Sequence, residues 1–172
     1  MLDLRGEVGK TTALAEHLSL FGDECKKTHP VDLRVTAIGN PRSLHPIAFE
    51  EILRFGREAL TNAFRHSQAK TIEVELHYER NLLRLRVRDD GVGIDQEILS
   101  RGFKAGHWGL PGMRERAKKL GGTVELWSRA NAGTEIELRV PAAAAYASAK
   151  RSWFMRLSRF ATRGKRSASD SG

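Results

Sequence analysis

Cysteine is almost missing from this chain: Cys25 is the only one in 172 residues. That excludes an internal disulfide and any all-cysteine zinc site, and it suits a reducing compartment. No apolar run approaches the roughly 18 residues that a membrane-crossing helix needs, and no leader of the signal-peptide kind opens the chain. A phosphate-binding P-loop is missing too. Gly6-Glu7-Val8-Gly9-Lys10-Thr11-Thr12 has the Gly-Lys-Thr, but the position five residues before Gly9 is Leu4, where the loop needs glycine to wrap a phosphate. Acids are scarce at one end only. Residues 141–172 hold seven Lys/Arg and one acid, Asp170, and so carry +6 of the formal net charge of +8. The basic balance therefore belongs to a tail, which weakens any argument from charge to nucleic acid.

What is present fits one ordinary soluble domain with something left over, with 40% hydrophobic and 29% charged residues. Residues 1–10 read as a disordered lead-in, 11–142 as the folded domain, and 143–172 as a basic tail. In that tail Trp153, Phe154, Leu157 and Phe160 recur at helical spacing among arginines, so an amphipathic helix on a membrane or nucleic acid competes with a disordered extension. The lead-in has none of the features of a structured domain start, which leaves open a longer parent chain. Residues 11–28 pattern as a helix, and Val31 to Ile38 alternate as a strand closed by Gly39-Asn40-Pro41. Pro46 opens a long amphipathic helix to about His66. Two alternating strands follow, with Ile72, Val74, Leu76 and Tyr78 on one face and Leu83, Leu85 and Val87 answering across a turn at Arg80-Asn81. A glycine-bearing loop from Asp95 to Trp108 leads to a helix from Leu110 to Leu120, capped by Gly121-Gly122. A last hairpin turns at Ala130 to Gly133. This order predicts an α/β two-layer sandwich: a mixed, mostly antiparallel sheet of about five strands with about three helices on one face.

Four stretches carry the chemistry. Arg88-Asp89-Asp90-Gly91-Val92-Gly93-Ile94 ends a strand with a carboxylate that accepts hydrogen bonds and two glycines that let a flat ligand approach. Taken alone, a tight turn explains it equally well. On the long helix Glu58, Asn62 and His66 recur every four residues and so share one stripe. A solvated face accounts for such a stripe, but an Asn in mid-helix has poor propensity and wants a partner. A carboxylate one turn from an amide oxygen suits magnesium, and Arg65 beside the stripe suits a phosphate. Gly106-His107-Trp108-Gly109-Leu110-Pro111-Gly112-Met113 runs into a helix start, where free N–H groups and the dipole favour an anion. Gly133-Thr134 opens the last strand.

Together these pieces resemble the ATP-binding catalytic domain of sensor histidine kinases, in the GHKL superfamily, over about residues 10–142. The run from Glu58 to His66 looks like that family's N box, Asp89 to Ile94 like its first glycine box, and Gly109 to Met113 like its second. The resemblance implies a Bergerat-type ATP-binding fold with ATP and Mg2+ as cofactors. It implies that Asn62 is the magnesium ligand and that Glu58 activates the attacking histidine or orients metal-bound water. Asp89 would receive the adenine amino group, with Gly91 and Gly93 shaping the pocket and Thr134 supporting Asp89 through water. Arg65 and His66 match polar positions near the phosphates. Gly109 and Gly112, with Leu110 and Met113 in the same box, match the phosphate-holding turn, and Gly106 and His107 lie in the lid that precedes it. The likeness further implies a dimerisation partner bearing the substrate histidine, a response regulator, and a cytoplasmic location beneath a membrane-bound sensor with a large periplasmic part.

One departure matters. None of His17, His29, His45, His66, His77 or His107 sits in a His-Asp or His-Glu box on a helical hairpin. The expectation is a domain that binds ATP and does not autophosphorylate alone. Two alternatives remain at this point: a stand-alone serine kinase of the anti-sigma-factor type, and a non-catalytic nucleotide-sensing module with a nucleic-acid- or membrane-binding tail.

Overall fold

A computed structural model describes residues 13–94 and 109–147. The expected lid and most of the basic tail lie outside those residues. The elements in chain order are α1 (Ala13–Lys26), β1 (Asp32–Gly39), α2 (Pro46–His66), β2 (Thr71–Tyr78), β3 (Leu82–Asp89), α3 (Leu110–Lys119), β4 (Thr123–Ser128), β5 (Thr134–Pro141) and the one-turn α4 (Ala142–Ala145). The five strands form one sheet in the order β1-β2-β3-β5-β4, with β1 and β2 parallel and every other pair antiparallel. This is the mixed, mostly antiparallel α/β sandwich that the alternation predicts.

Strand periodicity explains the layering. Ile72, Val74 and Leu76 of β2, Leu83, Leu85 and Val87 of β3, and Ile136, Leu138 and Val140 of β5 are buried and share one core with the helices. α2 spans that core. Its N-terminus is set by His45, whose side chain accepts from Ile47 N, and by Pro46 in the first turn, where no N–H is missed. Its buried residues include Ile52, Phe55, Ala59, Leu60, Ala63 and Phe64. α1 packs against it through Leu14, Ala15 and Leu18. α3 ends where Gly121 and Gly122 donate to the Lys118 and Ala117 carbonyls at 3.0 and 2.8 Å, which satisfies two carbonyls of its last turn.

Among the described residues, the second face of the sheet carries charge instead of a helix layer. Arg84, Arg86 and Arg139 pair with Glu79, Glu75 and Glu125. Burial pushes the Glu75 carboxyl up, and the hydrogen bond to His77 with the charge of Arg86 more than offsets it, leaving the pKa below the usual range.

The strand ends away from Asp89 are tied by the segment after β5. Tyr146 is buried, and its hydroxyl donates toward the Glu79 and Leu82 carbonyls, both at 3.1 Å. The Arg42 guanidinium lies 3.8 Å over its ring and also donates to the Arg80 carbonyl. His45 N and Ala147 N close the contact on Ala145 O and Ser43 O. The domain boundary expected at 142 thus falls inside packed chain.

Candidate functional site

β3 brings Asp89 to the end of the sheet and turns there. Asp89 is only 7% exposed, an unusual position for a carboxylate. Its Oδ1 accepts from Gly91 N at 2.9 Å. Burial pushes its pKa up, the backbone N–H groups of Gly91 and Thr134 pull it down, and Asp90 raises it again, with a net rise. The neighbouring Asp90 is exposed and does something else. Its Oδ1 accepts from Lys70 N at 2.8 Å and Thr71 N at 2.9 Å, fixing the start of β2, and the bond from Thr71 leads the causes that lower its pKa. The two neighbouring carboxylates thus differ: Asp89 lines the cavity and Asp90 holds the start of β2.

The glycines after Asp89 divide in the same way. A Cβ on Gly91 would strike the Ser67 carbonyl at the end of α2, so this glycine permits close packing behind the site. Gly93 has φ 67° and faces the Arg129 carbonyl, where a side chain meets both strain and a clash. Next to it, Ile94 N donates to Ser128 Oγ at 2.7 Å, and that oxygen lies 2.8 Å from Thr134 Oγ1. Val92 N donates to Ser67 O at 2.7 Å, and Asn131 N donates to Val92 O at the same distance. The turn is therefore held by α2, β4 and the last hairpin together.

These elements enclose a cavity between α2, the end of β3, α3 and β5. Its lining includes Asn62, His66, Asp89, Gly93, Leu110, Met113 and Thr134. The structure thus brings together residues from all four stretches singled out in the sequence. Ala59 and Ala63 give α2 a low floor beside Asn62, while Val87, Leu126 and Ile136 make the cavity apolar apart from its few polar groups. A flat heterocycle with one exocyclic amino group matches such a lining: apolar walls for the ring, and a buried carboxylate for the amine.

Other expected residues lie around this cavity and not in its lining. Glu58 stands one turn back along α2 against Gly109, where a Cβ would run into its carboxylate. Gly109 is the N-cap of α3 with φ 63°, so α3 starts beside that carboxylate with a backbone that glycine adopts freely. Gly112 sits half-buried in the first turn of α3. Arg65 is exposed, and its charge reaches Cys25 of α1. Gly106 and His107 lie outside the described residues. Among the described residues no group of three or more His, Cys, Asp or Glu is placed to hold a metal ion. A cation held by an amide oxygen, a carboxylate through water and a ligand's phosphates needs no such cluster, because magnesium keeps most of its waters and takes few protein ligands. The donor set of Asn62 and Glu58 fits that case.

Sequence reasoning missed three contributors. Asp90 and Ser128 act through backbone groups far along the chain, and no local pattern marks them. Ala59 was within reach, because it lies one helical step from Asn62 on the side that faces the sheet.

Known proteins resemble this chain in sequence and in fold. Residues 48–144 match the family described as histidine kinase-, DNA gyrase B-, and HSP90-like ATPase. The chain is 36% identical over 145 residues to sensor histidine kinase LiaS of Bacillus subtilis (strain 168), covering 82% of this chain and 38% of that protein. It is also 36% identical over 93 residues to sensor protein VraS of Staphylococcus haemolyticus, covering 54% of this chain and 25% of that one. The chain thus spans well under half the length of these relatives. In fold it is similar to the histidine kinase domain of a blue-light activated histidine kinase from Erythrobacter litoralis, with a TM-score of 0.62 at 18% identity over 77% of this chain and 65% of that one. No described helix is long and apolar enough to cross a membrane. The chain belongs to the histidine kinase-, DNA gyrase B-, and HSP90-like ATPases, as an ATP-binding domain of the sensor histidine kinase type.

Proposed function

We propose that the chain binds Mg-ATP in the Asp89 cavity and presents its terminal phosphate to a histidine on a partner dimerisation domain, in two-component signalling. One observation supports this above the rest: Asn62, His66, Asp89, Gly93, Leu110, Met113 and Thr134, drawn from four separate stretches, line one cavity. In this reading the Asp89 carboxylate accepts from the adenine amino group, Gly93 lets the ring approach, and Thr134 supports Asp89 through water. Gly91 shapes the pocket from behind. Asn62 holds magnesium, with Glu58 reaching it through water, and the metal neutralises phosphate charge when bound. His66 and Arg65 serve the phosphates. Gly109 and Gly112 offer backbone N–H groups at the start of α3, beside Leu110 and Met113, while Gly106 and His107 belong to a lid. Glu58, at the junction of α2 and α3, is the group that takes or orients the proton of the attacking imidazole. Phosphoryl transfer needs mainly positioning and charge neutralisation, and this set supplies both.

The test pairs the chain with a separately expressed dimerisation domain and labelled ATP. Phosphate that enters the partner and is lost in acid supports histidine transfer. Acid-stable phosphate would move the reading to a serine kinase. Asn62→Ala is expected to abolish magnesium-dependent ATP binding by calorimetry, and unchanged binding would remove Asn62 as the metal ligand.

A further inference from the structure

The first turn of α3 is short of donors for a polyphosphate. Pro111 has no N–H, and Met113 N donates to Gly109 O at 3.0 Å, which leaves at most Leu110 and Gly112 for a ligand. The helix dipole adds about half an elementary charge at this end. No acidic residue stands in the first turn, and Gly109 offers no side-chain cap. A cationic side chain beside this turn would add to that charge.

Arg116 is placed to supply it. Helical side chains lean toward the N-terminus, and Arg116 lies back over the first turn, so that a Cβ on Gly112 would come within 2.9 Å of its Nη1. The absence of a side chain at 112 keeps that path open. The other edge of the guanidinium faces Glu51 on α2, with Nε 3.8 Å from Oε2, while Lys119 Nζ stands 3.9 Å from Oε1. Those separations are ion pairs without hydrogen bonds. Glu51 Oε2 is buried and has no hydrogen-bond partner among the described residues. Arg116 itself is 32% exposed, reachable from solvent along the side of α3. A loosely paired guanidinium exchanges readily for a phosphate, which it grips through two parallel bonds.

We infer that Arg116 is a phosphate-binding residue of the nucleotide site, kept beside Gly112 by Glu51 until a phosphate replaces the carboxylate. This rests on the Asp89 cavity being the adenine site. Glu51 is then a positioning residue: it stores the arginine close to its place of use and competes with the nucleotide for it.

The experiment measures binding of ATP and ADP by calorimetry, and of adenosine by competition against a fluorescent ATP analogue, on the full chain. Arg116→Gln is expected to weaken ATP and ADP about tenfold, the size of a lost charge-assisted contact, and to leave adenosine unchanged. Arg116→Lys should fall between, since it keeps the charge and loses the fork. Glu51→Gln removes the competitor and should tighten ATP severalfold without changing adenosine. Wild-type ATP affinity in Arg116→Gln, or an equal loss for adenosine through disturbed packing, overturns the inference. Weaker ATP binding in Glu51→Gln overturns the storage role. Failure of the unsubstituted chain to bind adenosine overturns the adenine site itself, a different result from either.

Discussion

At one end of the sheet, where β3 stops, Asp89 is buried with its pKa raised, Gly93 holds a left-handed backbone, and an apolar cavity opens beside them. At the other end, where β3 starts, Tyr146 is buried with its hydroxyl satisfied by two carbonyls and its ring covered by Arg42. Both ends contain a buried polar side chain. The hydroxyl is held by two carbonyls, and the carboxylate by backbone N–H groups that do not fully offset its burial. A raised carboxylate pKa means that the folded state bears the charge at a cost, whereas a hydroxyl paired twice contributes to holding the fold. In the proposed function binding and holding thus fall at opposite ends of the same strands, and substitutions at the two ends should separate them.

The largest expected effect is at the cavity end. Asp89→Asn keeps the shape and turns one acceptor into a donor facing an amino group, so ATP affinity should fall by up to about 100-fold, the scale of a lost hydrogen bond to a charged group. Thermal stability should stay level or rise, because a buried charge whose desolvation outweighs its backbone hydrogen bonds is gone. A calorimetric titration beside a melting curve reads both, and loss of stability with intact affinity would reverse the assignment of the two ends. The same carboxyl predicts a pH dependence. Because its folded pKa is raised, Asp89 protonates as pH falls through a value above the ordinary Asp range, and ATP affinity should drop there. Stability should gain from that protonation, not lose. In Asp89→Asn this part of the pH dependence should vanish.

Next in size is the clasp. Tyr146→Phe removes the one O–H that two carbonyls share at a buried site and is expected to cost about 1–2 kcal/mol in denaturant unfolding with ATP affinity unchanged. A matching loss of affinity would mean that the two ends are mechanically coupled. The smallest effect belongs to Asp90→Ala, which frees the Lys70 and Thr71 N–H groups at an exposed position and should cost about 1 kcal/mol, with little change in ATP binding. As Asp90 has a lowered pKa, its contribution holds above the usual Asp pKa and fades as pH falls through the lower folded value. Asp89 and Asp90 thus respond to acid in opposite senses.

The cavity end was more legible in the sequence than the clasp. Its parts are local signatures: Asp89 with Gly91 and Gly93 in five residues, Asn62 on a clear 3.6-residue stripe, and a glycine turn before α3. Pro46 and Ser67 likewise mark both ends of α2 to the residue. The clasp depends on pairings across 67 and 64 residues, between Tyr146 and the carbonyls of a hairpin turn, and no periodicity announces them. Facing direction was the other blind spot. Arg65 follows Asn62 by three residues, and its charge also reaches Cys25 of α1, a neighbour that no local pattern names. Asp90 carried no expectation of its own, and only the strand register placed it over Lys70 and Thr71.

The most direct test of the account is whether the cavity recognises adenine through Asp89. Thermal shift of the full chain with ATP, ADP and GTP, each with magnesium, reads this in one experiment. ATP and ADP should raise the melting temperature while GTP, which presents a carbonyl in place of the adenine amine, leaves it unchanged. Equal stabilisation by GTP, or no shift with any nucleotide, would contradict it.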